Sequence, residues 1–210
     1  QNGGEDLFNV GVKFGEKYGS GSYKRAIYEA DYEYVNEQDK DRELKVYVTY
    51  RIAIRNESTN LIGQINSLVD YYDSRYERIV AIGTNNSNET ATVEQSINYS
   101  QSSYNADYSK VVINTNTRID PQTDQDIYVQ FELGREAVLN ILNGGENLDN
   151  VVEINSYSVF DENGKVYAGI DKDSNPGTCT PGQESTYEDD TDSSLSLKLE
   201  VADARELTGK

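Results

Sequence analysis

The stretch ELKVYVTYRIAIRN, residues 43–56, constrains the fold more than any other feature of the chain. Val46, Val48, Tyr50, Ile52 and Ile54 fall on one side of an extended backbone, with Lys45, Tyr47, Thr49, Arg51 and Arg55 on the other, because successive side chains of a strand point to opposite faces. A helical period would scatter these two sets around the axis. The pattern predicts a central strand with one face on a core and one face in water. RAIYEADYEYV, residues 25–35, repeats the pattern with Ala26, Tyr28, Ala30, Tyr32 and Tyr34 opposed to Glu29, Asp31 and Glu33.

Further strands are expected along the rest of the chain. LFNVGVKFG comes before these two, and the segment 61–83 holds one or two more. KVVINTNTRI, IYVQFEL, LDNVVEINSYSVFD, GKVYAGI and LSLKLEVAD complete the set, with ENG as a hairpin turn. REAVLNILNGG breaks the two-residue period and suits a short helix ended by Gly144 and Gly145. Residues 84–109 lack aliphatic clusters and read as a long loop, of the kind that is functional or mobile in a compact domain. Glycosylation-type triplets start at Asn56, Asn85, Asn88 and Asn98. About nine or ten strands with one short helix predict an all-β chain, an antiparallel Ig-like β-sandwich. No phosphate-binding glycine loop or alternating strand-helix pattern points to a parallel sheet.

Composition removes several classes of function. The chain has no histidine, so Ser-His-Asp and Cys-His catalysis, imidazole metal sites and a histidine pH switch are absent. Its single cysteine, Cys179, has no internal disulfide partner and no zinc spacing. A net charge of −18 opposes nucleic acid. The sequence contains no apolar run long enough to insert in a membrane. Seventeen tyrosines against four phenylalanines and no tryptophan suit half-wet sheet faces. The chain starts without methionine and ends in ARELTGK, which reads as the start of a further strand, so more protein is expected to follow.

The acidic tail poses a question of metal chemistry. In DKDSNPG, Asp171, Asp173 and Asn175 place oxygen donors at alternate positions ahead of Gly177, as a calcium loop requires. The glutamate that would close an EF-hand is missing, since Gly182 stands in its place. A second acidic cluster, Glu188, Asp189, Asp190 and Asp192, is close enough in sequence to fold back and complete the shell. Two readings stand: a split calcium site that stiffens a joint, or a solvated linker built on two Pro-Gly turns.

VYVTYRIAIRNES, GQINSLVDYYDSRYE and DIYVQFELGREAVLNILNGGENLDNVVEINSYS together resemble the Ig-like repeat modules of large Gram-positive surface proteins. The tail, YAGIDKDSNPG through YEDDTDSSLSLKLEVADARELTGK, is similar to the segment preceding Cna-B-type domains in clostridial wall-anchored adhesins. The resemblance implies an extracellular module of the bacterial cell surface or cell wall, a stalk or filament subunit, and no enzyme. Its implied partners are adjacent modules of the same chain or identical subunits, with a host protein or glycan as ligand. Modules of this kind often carry a self-formed Lys-Asn isopeptide bond promoted by a buried carboxylic acid. Asn150 matches the asparagine of that pattern, Lys13 is the candidate amine, and Asp70 or Asp31 is the candidate acid.

On this reading residues 1–170 form the sandwich, 171–194 an acidic loop within the same domain, and 195–210 a closing strand with the start of a linker. The alternative is a carbohydrate-binding or carbohydrate-active β-sandwich, with tyrosines as sugar platforms and Asp70 with Asp73 as its carboxylates. Strand parity sets those two aspartates on opposite faces.

Overall fold

The computed structural model of the chain describes residues 10–14, 27–34, 44–87, 92–134, 137, 140, 150–168, 175–188 and 190–193. Two antiparallel sheets face each other. The first holds β1 (Val10–Phe14), β2 (Ile27–Tyr34), β3 (Leu44–Asn56), β5 (Glu77–Gly83) and β11 (Asp124–Leu133). The second holds β4 (Ile62–Asp73), β8 (Tyr99–Ser103), β9 (Tyr108–Ile113), β10 (Thr117–Ile119), β12 (Val151–Phe160), β13 (Val166–Tyr167) and β14 (Thr191–Ser193). A short ribbon pairs β6 (Asn86–Ser87) with β7 (Thr92–Val93). Among the described residues, no helix is long and apolar enough to cross a membrane.

The alternation read in residues 43–56 builds the centre of the first sheet. β3 pairs with β11 along one edge and with β1 and β2 along the other. Val48, Tyr50, Ile52 and Ile54 enter the core, where they meet Ile127, Val129, Phe131 and Leu133 of β11. From the second sheet come Leu68, Tyr72, Val111, Ile113, Val152 and Ile154. The Phe131 ring packs edge-on to Tyr50, with centroids 5.8 Å apart, and is tilted on Tyr72 at 5.2 Å, geometries that favour aromatic pairs. The opposite row of β3 was expected to face water, yet Thr49, Arg51 and Ala53 are buried too. Flanked by strands on both edges, β3 has little of either face left open.

Three local expectations need correction. The long loop read into 84–109 contains β8, which pairs with β9 as an edge strand; an edge strand needs only a backbone partner, so the lack of aliphatic residues did not forbid it. KVVINTNTRI forms two strands, β9 and β10, that meet β4 at different places, because Asn116 adopts a positive φ of 43° between them and asparagine tolerates that region. The alternation of β2 is interrupted, since its register against β3 shifts between Tyr28 and Asp31. Ala137 and Asn140 are helical, as REAVLNILNGG suggests, while the rest of that stretch and the expected closing strand LSLKLEVAD lie outside the described residues.

Two backbone positions pin the connections. Gly83 has no room for a side chain, because a Cβ there would stand 2.0 Å from the carbonyl oxygen of Glu94. The segment after β7 crosses the end of β5 at that point, with Ser96 and Ile97 N–H groups donating to the Ile82 carbonyl. Asn56, fully buried, ties the β3–β4 connection to β10: its Nδ2 donates to Leu61 O at 2.8 Å and Ile119 O at 3.0 Å, and its Oδ1 accepts from Ser58 N at 3.0 Å. A side chain so engaged is closed to glycosylation in the folded protein, whereas Asn98 is exposed. Replacing Asn56 by alanine strands buried backbone groups and should cost about 3 kcal/mol. The check is a lower denaturant midpoint with an unchanged slope.

Candidate functional site

The second sheet carries chemistry on both faces, and the register of β12 decides which residue serves which face. β4 sets Asp70 opposite Val152 of β12 and opposite Val111 of β9. Val152, Val111, Leu68 and Tyr72 all belong to the main core, so Asp70 points between the sheets. Asn150, two residues before Val152, points the same way. Both side chains are 0% exposed. Asn150 Nδ2 donates to Asp70 Oδ2 at 3.1 Å, and the other carboxyl oxygen, Oδ1, is buried without a hydrogen-bond partner among the described residues.

A carboxylate with an unmet oxygen in an apolar core is costly, and protonation relieves the cost. Burial pushes the Asp70 carboxyl up to about 8, against the smaller opposing effect of the Asn150 hydrogen bond. At neutral pH Asp70 is therefore mainly a neutral acid, in contact with the Asn150 carboxamide through its nitrogen. Burial also raises the Tyr72 phenol on the same strand face.

The outer face of β12 holds a different constellation. Glu153 is 1% exposed and faces away from Asp70. Its Oε1 accepts from Gly177 N at 2.8 Å and Thr178 N at 3.2 Å, and its Oε2 accepts from the Cys179 thiol at 3.3 Å. Residues 175–188 thus lie across the second sheet as a strap. Gly177 and Gly182 take positive φ of 84° after the two prolines, as the second central residue of a tight Pro-Gly turn does. Under the strap, Cys179 packs with Val69, Tyr71 and Val151, flanked by Tyr108, Val112 and Tyr187. Burial, with the Glu153 charge next to it, raises the Cys179 thiol to about 12, which leaves it unreactive at neutral pH. Burial first, then the neighbouring thiol and carboxylate, raises the Tyr71 phenol as well.

Of the proposed cross-link set, Asp70 and Asn150 come together. Lys13 lies on β1 opposite Ala53, in the row that alternates with the positions opposite Ile52 and Ile54. Asp31, the other candidate acid, lies opposite Tyr47, also in the row that alternates with Val46 and Val48. Of the proposed calcium set, Asp171, Asp173 and Asp189 lie outside the described residues. Asn175 donates its backbone N–H to Glu188 Oε2 at 2.6 Å, the same oxygen that Thr178 Oγ1 approaches at 3.2 Å. Asp190 is buried, and Asp192 sits opposite Val152 on β14. Among the described residues no group of three or more acidic or thiol side chains converges as a metal site would.

The carboxylate pair of the alternative reading does not form. Asp70 is sealed in the core, and Asp73 has both oxygens bound by Arg75, at 3.0 Å from Nε and 2.7 Å from Nη2. Glu153 was the residue sequence reasoning missed: in LDNVVEIN it is an ordinary charge on an alternating strand. Its one signal is a charged residue set between Val152 and Ile154 next to an apolar pair.

No protein-family model and no curated protein sequence matches the chain. Among solved structures the chain is similar to a point variant of carbohydrate-binding module CBM3b from the cellulosomal cellobiohydrolase 9A of Clostridium thermocellum, at 7% identity over 76% of this chain and 96% of that one, with a TM-score of 0.33. It is similar to the family 3a carbohydrate-binding module from the cipA scaffolding of the same organism, at 11% identity over 76% and 99%, with a TM-score of 0.29. A structural-genomics target is similar at 13% identity over 77% and 80%, with a TM-score of 0.31. Likeness at this level assigns no ligand or activity to the chain.

Proposed function

We propose that the chain is a load-bearing module of an extracellular bacterial surface protein, a β-sandwich reinforced by a covalent bond between Asn150 and a lysine amine. The observation that carries this reading is the fully buried Asp70–Asn150 pair, an acid and an amide held in hydrogen-bond contact away from water. A dry acid that stays protonated is what activation of an amide requires. A neutral lysine nitrogen attacks Asn150 Cγ while the carboxamide turns to bring its oxygen to the place where Nδ2 meets Asp70, and Asp70 gives its proton to that oxygen. The C–Nδ2 bond then breaks, the two protons shed by the attacking nitrogen and the carboxamide oxygen pass through Asp70 to the leaving nitrogen and back to Asp70, and ammonia departs. Lysine amide and ammonia replace amine and carboxamide, and Asp70 ends as it began.

Lys13 is the first lysine to test, although its row on β1 alternates with the core row; a one-residue slip of an edge strand reverses which row faces inward.

Intact mass under denaturing conditions tests the reading. The wild type should be lighter than its sequence by about 17 Da, the ammonia lost in acyl transfer, whereas Asp70→Ala and Asn150→Ala should have their full calculated masses. A deficit that persists in Lys13→Ala assigns the amine to another lysine. A wild type of full mass contradicts the proposal.

A further inference from the structure

β12 joins the buried pair to the strap. Its residues Val151, Val152 and Glu153 pair with Tyr71, Asp70 and Val69 of β4 on one edge and with Ser193, Asp192 and Thr191 of β14 on the other. The Ile154 N–H extends that second edge, donating to Asp190 O at 3.0 Å. β14 also lies against β1 of the first sheet, so it closes the side of the sandwich at the end where Asn150 enters β12. β14 follows the strap directly in sequence, and the strap is fastened by Glu153.

The fastening is strong on local grounds. Glu153 is buried, and its three acceptor bonds all go to strap residues 177–179. Hydrogen bonds to an ionised carboxylate are roughly twice as strong as neutral ones. Removing the carboxylate takes the acceptor from two backbone N–H groups of the turn and from the buried Cys179 thiol, and removing the strap strands a buried charge. The strap, β14 and the first residues of β12 should therefore open and close as one unit.

We infer that Glu153 is a positioning residue for the Asp70–Asn150 pair: by docking the strap it seats β14 on β12, and seated β14 keeps water from that end of the core. This rests on the cross-link reading for its use, though not for its observation. With β14 away, the edge of β12 beside Asn150 is bare, water reaches Asp70, and the acid ionises and loses the proton it would donate. Docking of the strap thus orders events, so that the amide is activated only once the sandwich is closed.

The test compares the full chain with Glu153→Ala, with the milder Glu153→Gln, which keeps one oxygen acceptor, and with Asp70→Asn. Three quantities are read: amide hydrogen exchange of residues 151–154 and 177–179, the infrared band of a protonated carboxyl at neutral pH identified by its loss in Asp70→Asn, and the fraction of freshly purified chains showing the ammonia deficit. In Glu153→Ala both segments should exchange faster by roughly tenfold or more, the Asp70 band should fall, and the cross-linked fraction should drop. Glu153→Gln should lie between it and the wild type, and it keeps the test decisive if the alanine variant does not fold. Faster exchange at 177–179 with residues 151–154 and the Asp70 band unchanged overturns the inference. A wild type without the mass deficit, but with an Asp70 band that depends on Glu153, removes the cross-link reading and leaves the positioning role standing.

Discussion

The unfolding free energy should fall as pH rises from about 4 to about 8 and level off above that, and the part of the slope due to Asp70 should vanish in Asp70→Asn. The sign follows from linkage. In the unfolded chain Asp70 titrates near its ordinary value of 3.8, whereas burial in the folded protein holds it at about 8. Between those values unfolding releases a proton, so rising pH favours the unfolded state; below both values the group contributes nothing, and above both the full penalty applies. The loss amounts to a few kcal/mol over the window. A net charge of −18 adds self-repulsion that also grows as carboxylates ionise, and for that reason the comparison is with the isosteric variant and not with a fixed baseline. Chemical denaturation at several pH values reads the two slopes, and equal slopes would mean that Asp70 is not held neutral in the core.

Phe131→Ala should be among the most destabilising single substitutions, at about 4 kcal/mol. The ring is fully buried at the centre of the main core and contacts aromatic rings from both sheets, Tyr50 of β3 and Tyr72 of β4. Its removal leaves a cavity that neither sheet can collapse into without breaking the ladders of β11 with β3 and β5, and it forfeits the edge contacts between rings. Phe131→Leu keeps most of the volume and should cost well under half as much. Similar losses for both variants would argue against ring packing as the cause. Neither substitution touches Asp70 or Asn150, so each variant should show the same ammonia deficit relative to its own calculated mass as the wild type does.

Much of the framework could be read from local pattern. The alternation of residues 44–56 is set by backbone geometry alone, and so is that of Ile127, Val129, Phe131 and Leu133; both rows reach the core where the pattern puts them. What could not be read is which strands meet. Asp70 and Asn150 are 80 positions apart, and their contact depends on the register that puts Val152 opposite Asp70; one step of slip would send Asn150 to the other face. The sequence named both residues through a family resemblance, but their burial and their hydrogen bond are products of that register.

The strap shows a pairing that local pattern does not reveal. Segment 171–194 reads as a split cation site or a solvated linker because alternate oxygen donors, two Pro-Gly turns and an acidic cluster mark it. Its described part is organised by carboxylates that accept backbone N–H groups: Glu153 from beneath and Glu188 from within. Glu153 is 24 residues from Gly177, and nothing local marks the pairing. β8 was hidden for a simpler reason: all of its residues but Tyr99 are exposed, and Gln101 accepts from the Tyr72 hydroxyl at 3.2 Å.

The most direct measurement is a peptide map of the denatured, digested wild-type protein by tandem mass spectrometry. The account predicts a branched species in which the peptide containing Asn150 is joined through its side chain to a peptide containing a lysine, and predicts its absence from Asp70→Ala. Recovery of the linear Asn150 peptide in full yield, with the carboxamide intact, would contradict it.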